Sequence, residues 1–226
     1  MPRVLQVTRS LALVATALFT ISAGPTSAPS NAPFAKEIAA FQEQDRISPP
    51  APGGVLFVGD SGIRMWKSLA QDFPNQHVIN RGFGGSTMAH LLLYTDRIVI
   101  PYKPRLIIVR EGGNDLSAAK PVTPEELVAE YDRFVKAVRK SLPDVRIAFC
   151  SLNPNPARWN QAETRKRINA LTKAYVASGK NLDFIEVWDQ FLTPEGIPRA
   201  DLFLKDGLHN NAQGYKVYAD IVRPHL

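Results

Sequence analysis

One cysteine in 226 residues leaves no intrachain disulfide to hold the fold, so stability must come from a buried core. That residue, Cys150, ends the apolar run Ile147-Ala148-Phe149-Cys150, where a thiol behaves as a small hydrophobe. Long apolar runs are also missing. The longest, residues 11–23, falls short of the roughly 20 residues a membrane-spanning helix needs, and Pro25, Pro29 and Pro33 break any extension of it. This argues against a permanent membrane anchor. No Gly-Lys-Ser/Thr follows the glycine-rich segment at 82–85, which disfavours a nucleotide loop. The formal charge of +6 is spread along the chain, apart from Arg165-Lys166-Arg167. With no base-reading motif and no basic, aromatic stripe beside it, nucleic acid is not an expected partner. Neither an internal repeat nor a second domain is visible.

What is present begins with Arg3 and Arg9, no acid among the first nine residues, and then the apolar run. Residues 1–23 therefore read as a signal peptide, with cleavage after Ala23 or further on at Ser30. Its removal takes away two arginines and no acid, leaving a charge of +4. No cysteine stands at the end of the segment to carry a lipid, so the expected product is exported, either periplasmic or secreted. Residues 24–53 read as a linker with a short helix, since Phe34, Ile38 and Phe41 recur at helical spacing before Pro49-Pro50 stops it. Residues 54–226 form the expected domain, and a hydrophobic fraction of 45% suits one that buries a core.

Within that domain, strand-like and helix-like segments alternate. Val55–Val58, His77–Asn80, Leu106–Val109, Arg146–Cys150 and Asp183–Val187 are short and almost wholly apolar, as strands covered on both faces are. Helices are expected at about 62–72, 86–99, 158–178 and 212–222, and Thr123-Pro124-Glu125-Glu126 opens another with a capping box. The alternation predicts an α/β class, a three-layer α/β/α sandwich with a mainly parallel five-stranded sheet. Ligands of such sheets bind beyond the carboxyl ends of the strands.

Four segments carry chemistry, three of them at those ends. Ser61, in Gly59-Asp60-Ser61-Gly62, stands where the first strand turns into a helix, whose free N–H groups suit an oxyanion; a Ser or Asp there also serves as an ordinary cap. Gly82-Phe83-Gly84-Gly85 follows the second strand and lets a ligand approach the backbone, or simply turns the chain. Asn114, in Gly112-Gly113-Asn114-Asp115, follows the third and can donate to an oxyanion without adding charge. Asp115 there also suits a cap, and with Glu111 a cation site, though no second cluster of oxygen ligands accompanies them. Near the C-terminus, Asp206 lies three residues before His209, close enough for a carboxylate to hold one imidazole nitrogen while the other faces a nucleophile. Of the four histidines only His209 has a carboxylate at this spacing.

Taken together, Ser61 in Gly-Asp-Ser, the Gly84-Gly85 pair, Asn114 in Gly-Gly-Asn-Asp and His209 in Asp-Gly-Leu-His resemble the SGNH/GDSL hydrolases over roughly residues 54–223. The resemblance implies a flavodoxin-like sheet, hydrolysis of esters or thioesters, and neither metal nor cofactor. It implies Ser61 as nucleophile, His209 as base, Asp206 as the residue orienting it, and an oxyanion hole from Ser61, Gly85 and Asn114. Gly85 is taken from the pair because it lies five residues after Asn80, as in the thioesterase-like members. Arg110 and Trp159 are candidate substrate-binding residues, and so is the Pro154-Asn155-Pro156 turn. Expected substrates are a short-chain acyl ester, a lysophospholipid or a thioester. The alternatives are an O-acetyl esterase of acetylated polysaccharide, and a non-catalytic envelope or carbohydrate-binding protein on the same fold. Small-molecule, glycan or lipid esters are thus the expected partners, with the oligomeric state open.

Overall fold

The computed structural model describes residues 31–226; the expected signal segment, residues 1–23, lies outside them. Five strands, β1 (Val55–Gly59), β2 (Val78–Gly82), β3 (Leu106–Arg110), β4 (Arg146–Cys150) and β5 (Leu182–Ile185), pair in the order β2-β1-β3-β4-β5. Every pairing is parallel, with Val55 opposite both Val78 and Leu106. This is the flavodoxin-like order, and its switch point lies between β1 and β3.

Alternation along each strand divides the core in two. Leu56, Val58, Ile107, Val109, Ile147 and Phe149 pack beneath α1 (Ala35–Ile47), α4 (Met88–Ile98), α5 (Pro124–Ser141) and α6 (Ala162–Ala177). Val55, Phe57, Leu106, Ile108, Ala148 and Cys150 face α2 (Ser61–Arg64), α3 (Leu69–Asp72) and α7 (Ala212–Val222). Burial on both faces is why these strands read as unbroken apolar runs. Cys150 takes its expected place in this core, and burial pushes its thiol up to about 12.

Differences from the expected elements have local causes. The helix expected at 62–72 is two short pieces, because Trp66 turns inward among Phe57, Phe73 and Tyr215. Its indole N–H and the Ser68 hydroxyl both donate to the Asp72 carboxylate, at 2.6 and 2.7 Å, bonds that compete with a continuous helix. The helix expected at 158–178 starts only at Ala162. Pro156–Gln161 is instead a 3-10 segment kinked at Arg158, where φ is −129°. The capping box on α5 is as read: Thr123 N–H donates to Glu126 at 2.7 Å, and Glu126 N–H to Thr123 at 3.2 Å.

The N-terminal helix runs further than Phe41, to Ile47, because its last turns carry an anchor. Asp45 accepts from the Arg81 guanidinium and, at 2.5 Å, from the Tyr102 hydroxyl, while Arg81 lies over the Phe41 ring at 5.0 Å. Arg81 is only 5% exposed, so that carboxylate is what compensates its buried charge. Replacing Asp45 with Ala leaves the guanidinium buried and unpaired, and is expected to lower the unfolding free energy by about 3 kcal/mol. Urea unfolding measures this; a loss under about 0.5 kcal/mol, the scale of an exposed pair, would show that α1 is not anchored there.

Candidate active site

β1 ends at Gly59, and the next residue, Asp60, caps α2 by accepting the Gly62 N–H at 2.7 Å. The cap at this turn is therefore Asp60, which leaves Ser61, the first residue of α2, free to project its hydroxyl. Ser61 Oγ lies 2.9 Å from Nε2 of His209, a residue 148 positions away. His209 Nδ1 lies 2.7 Å from Asp206 Oδ2, and with Nδ1–H donating there, Nε2 is left to accept from the serine. Asp206 Oδ1 accepts the N–H groups of Leu208 and His209, at 2.9 and 3.0 Å. Bonding to the His209 side chain first, and to these two N–H groups next, holds the carboxyl down to about 2. The segment is a turn rather than a helix: Gly207 sits at φ +62°, and Leu204 N–H donates to His209 O at 2.8 Å.

Asn114 follows β3 across the switch point. Its amide donates to Ser86 O at 2.9 Å and its oxygen accepts from Arg158 at 3.3 Å; Arg158 also donates to Gly113 O at 2.8 Å. Both ends of the side chain are thus fixed, and the second amide hydrogen remains available. The loop after β2 is tied to the same place. Ser86 donates to buried Glu111 at 2.7 Å, and Asp115 accepts the Met88 N–H at 3.1 Å. Asp115 caps α4 from another loop, rather than the segment that follows it. Gly85 takes φ +85° and is exposed, and neither its N–H nor that of Ser61 bonds to a backbone acceptor among the described residues. Gly85 is not on the wall of the cavity beside Ser61.

That cavity, of about 30 Å³, has Ser61, Asn114 and His209 on its walls, with Arg110, Arg158 and Arg165. Arg110, read from the sequence as a candidate substrate ligand, is occupied by the protein: it donates to Asp60 at 2.9 Å, Tyr218 at 3.1 Å and Asn153 at 3.2 Å. Gly62 permits this, since a Cβ there would lie 1.3 Å from an Arg110 nitrogen. Trp159 is not on the cavity wall; it stacks on Trp188 with centroids 6.3 Å apart and lines a separate groove with Lys166 and Lys173. Of the Pro154-Asn155-Pro156 turn, Asn155 alone lines the cavity. Sequence reasoning read Asp60 only as a cap and did not place Asn153, Arg158 or Arg165 at the site; Asn153 lies close to a strand end, whereas Arg165, on α6, carried no such signal. Among the described residues no group of three or more His, Cys, Asp or Glu side chains is placed to hold a metal. No described helix is long and apolar enough to cross a membrane.

A hydroxyl bonded to an imidazole that is itself held by a carboxylate can lose its proton as it attacks an electrophile. Behind it lie two acids whose burial favours the neutral form: Glu111, raised well above the ordinary range by burial and then by the Asp60 charge, and Asp115, raised by burial to about 6. A folded-state pKa above the unfolded value means that the folded protein holds the proton longer. The Asp115 contribution to stability is then fully present below about pH 4 and is lost as pH rises through 6. Asp115→Asn keeps an acceptor for Met88 N–H without the charge. Its unfolding free energy relative to wild type is expected to climb between pH 4 and 7, by on the order of 2 kcal/mol. A gap that stays flat over that range in thermal melts counts against the buried charge.

Comparison with known proteins gives the same picture of the fold. Residues 53–217 match the family model described as GDSL-like lipase/acylhydrolase. A structure described as a platelet activating factor from Streptococcus pneumonia is 20% identical with a TM-score of 0.73, over 84% of this chain and 91% of its own. A GDSL-like lipase from Bacteroides thetaiotaomicron is 17% identical with a TM-score of 0.71, over 83% and 96%. A variant of an acetyl-xylooligosaccharide esterase from Geobacillus stearmophilus is 18% identical with a TM-score of 0.61, over 77% and 94%. No curated protein matches.

Proposed function

Because this chain belongs to the GDSL-like lipase/acylhydrolase family and is an ester hydrolase, we propose that it cleaves short-chain carboxylic esters through an acyl-enzyme on Ser61. The observation that carries the reading is the unbroken hydrogen-bonded chain from Ser61 through His209 to Asp206, at 2.9 and 2.7 Å. Ser61 Oγ adds to the ester carbonyl while His209 Nε2 takes its proton, and the new imidazolium is stabilised by the Asp206 carboxylate. The oxyanion is met by the N–H groups of Ser61 and Gly85 and by the Asn114 amide. Collapse breaks the bond to the alcohol oxygen, which leaves with the proton from His209. Water then adds to the acyl-enzyme by the same proton route, releasing the acid and restoring Ser61.

Size and polarity support the word short. A long alkyl chain set in a cavity of about 30 Å³ would strip water from guanidinium groups and give nothing in return. The acetyl-xylooligosaccharide esterase among the similar structures favours acetyl transfer as the second reading, an O-acetyl esterase acting on glycans. We place the reaction outside the cytoplasm, on the strength of the basic start and apolar run in residues 1–23.

Treatment with a fluorophosphonate is expected to leave a covalent adduct on Ser61, located by mass spectrometry, and none on Ser61→Ala. An adduct elsewhere, or full esterase activity in Ser61→Ala, removes the nucleophile assignment. Asn114→Ala is expected to lower kcat by roughly 100- to 1000-fold with little change in KM, as loss of one oxyanion donor does. For the export proposal, N-terminal sequencing of protein recovered outside the cytoplasm is expected to begin after Ala23 or Ser30; an intact Met1 terminus on that protein counts against cleavage.

A further inference from the structure

The cavity beside Ser61 is walled by three guanidiniums from three elements: Arg110 at the end of β3, Arg158 in the 3-10 segment after β4, and Arg165 on α6. Arg110 is matched by Asp60. The other two have no carboxylate within salt-bridge distance among the described residues. Arg158 bonds to Gly113 O and Asn114 Oδ1, and Arg165 to Asn153 O and Gln161 Oε1, the last two both at 3.2 Å. Arg165 is only 3% exposed, yet its Nε has no acceptor among the described residues. Burial first, and then the neighbouring cations Arg158 and Arg110, push its pKa down to about 10.

These groups converge. A Cβ built on Gly113 would lie 3.6 Å from Arg158 Nη1 and 3.9 Å from Arg165 Nη2, one residue before Asn114. Asp60 Oδ2 is 3.7 Å from the same point, but its other oxygen is engaged by Arg110. Glu111, the remaining acid on the wall, is buried and favours its neutral form. Asp206 is not on the wall and is bonded to His209. The wall therefore carries positive charge in excess. Cations held partly or wholly out of water without a counter-ion are costly, and a bound anion would supply one. About 30 Å³ is roughly the room of two water molecules, and so of the two oxygens of a carboxylate.

We propose that this cavity is an anion subsite, in which Arg158 and Arg165 bind a carboxylate carried by the ester substrate a few atoms from the scissile carbonyl. The assignment of that carboxylate to a substrate rests on the acyl-transfer reading above; the anion site itself does not. The carboxylate belongs to the acyl half or to the alcohol half of the ester, and matched substrates separate the two. Mono-p-nitrophenyl glutarate and its methyl ester differ in charge on the acyl half; 2-acetoxypropanoate and its amide differ on the alcohol half. In wild type, the anionic member of one pair is expected to have at least a tenfold higher kcat/KM, expressed mainly in KM. Arg165→Met is expected to erase that preference, and Arg165→Lys to restore part of it.

Calorimetry on Ser61→Ala with glutarate, acetate and inorganic phosphate reads the site without turnover and without altering either arginine. Binding of glutarate or acetate supports the subsite. Tighter binding of phosphate overturns the carboxylate assignment. No heat with any of the three, together with equal rates within both ester pairs, overturns the subsite itself. Failure of the acyl-transfer reading looks different: no ester is hydrolysed and Ser61 is not labelled, whatever the anions do in the calorimeter.

Discussion

Arg110 sits where four segments meet, and its guanidinium fixes their relative positions. It bonds Asp60 at the end of β1, Asn153 after β4, and Tyr218 on α7, whose ring it also covers at 5.2 Å. Asp60 in turn caps the helix that begins with Ser61. α7 follows directly on the turn carrying Asp206 and His209, and Tyr215 from α7 donates to Gly62 O at 2.9 Å. A largely buried ion pair behind Ser61 and His209 thus ties together the segments that carry them. Such a pair is costly to break, because the partner left behind stays charged and mostly out of water. A serine and a histidine 148 residues apart need a constraint of that kind to be held at hydrogen-bond distance.

The parallel sheet supplies the other half of the constraint. All five strands point the same way, so their carboxyl ends share one rim, and the chain reverses its order between β1 and β3. Ser61 and Asn114 leave the sheet on either side of that gap. Across it, Ser86 to Glu111, Asn114 to Ser86 and Met88 to Asp115 bind the loop after β2 to the loop after β3. Two carboxyl groups in that linkage are buried, and their raised pKa values record the cost of ionising them there. Stability has been given up locally for fixed positions, which is common where a site must be rigid.

Legibility in the sequence followed the range of the interactions. The five strands were visible because two-sided burial writes itself into consecutive residues, as in Leu106–Val109. Ser61 and Asn114 could be singled out because each sits in a short turn motif at a strand end, and the Asp206/His209 pair by its three-residue spacing just before α7; their assembly into one site was not legible from any one motif. Interactions between distant segments left no such mark. Arg165 belongs to the one basic run noted in the sequence, Arg165-Lys166-Arg167, yet Lys166 and Arg167 pair outward with Glu163 and Glu125 while Arg165 turns into the protein. Arg110 drew attention as a charge near the site, but its partners, Asp60, Asn153 and Tyr218, lie 50, 43 and 108 residues away. Trp159 lies apart from the serine for the converse reason. It is near the site in sequence, but the kink at Arg158 sends the two side chains to different grooves.

Arg158 joins the two properties that the proposed function has to combine. One nitrogen bonds the oxygen of Asn114, and the guanidinium also lines the cavity. In the acyl-transfer reading Asn114 donates to the oxyanion, so the residue that would hold a substrate anion is the one that already orients an oxyanion donor. Binding energy far from the reacting carbon raises kcat only when it is expressed in the transition state. An anion settled against Arg158 and Arg165 would draw the guanidinium towards itself and away from Asn114, or else hold it where the Asn114 bond is kept. The 2.8 Å bond from Arg158 to Gly113 O resists the first and favours the second. Substrate charge is then read on a part of the wall that is already braced, and the donor aimed at the oxyanion keeps its direction whether the cavity is filled or not.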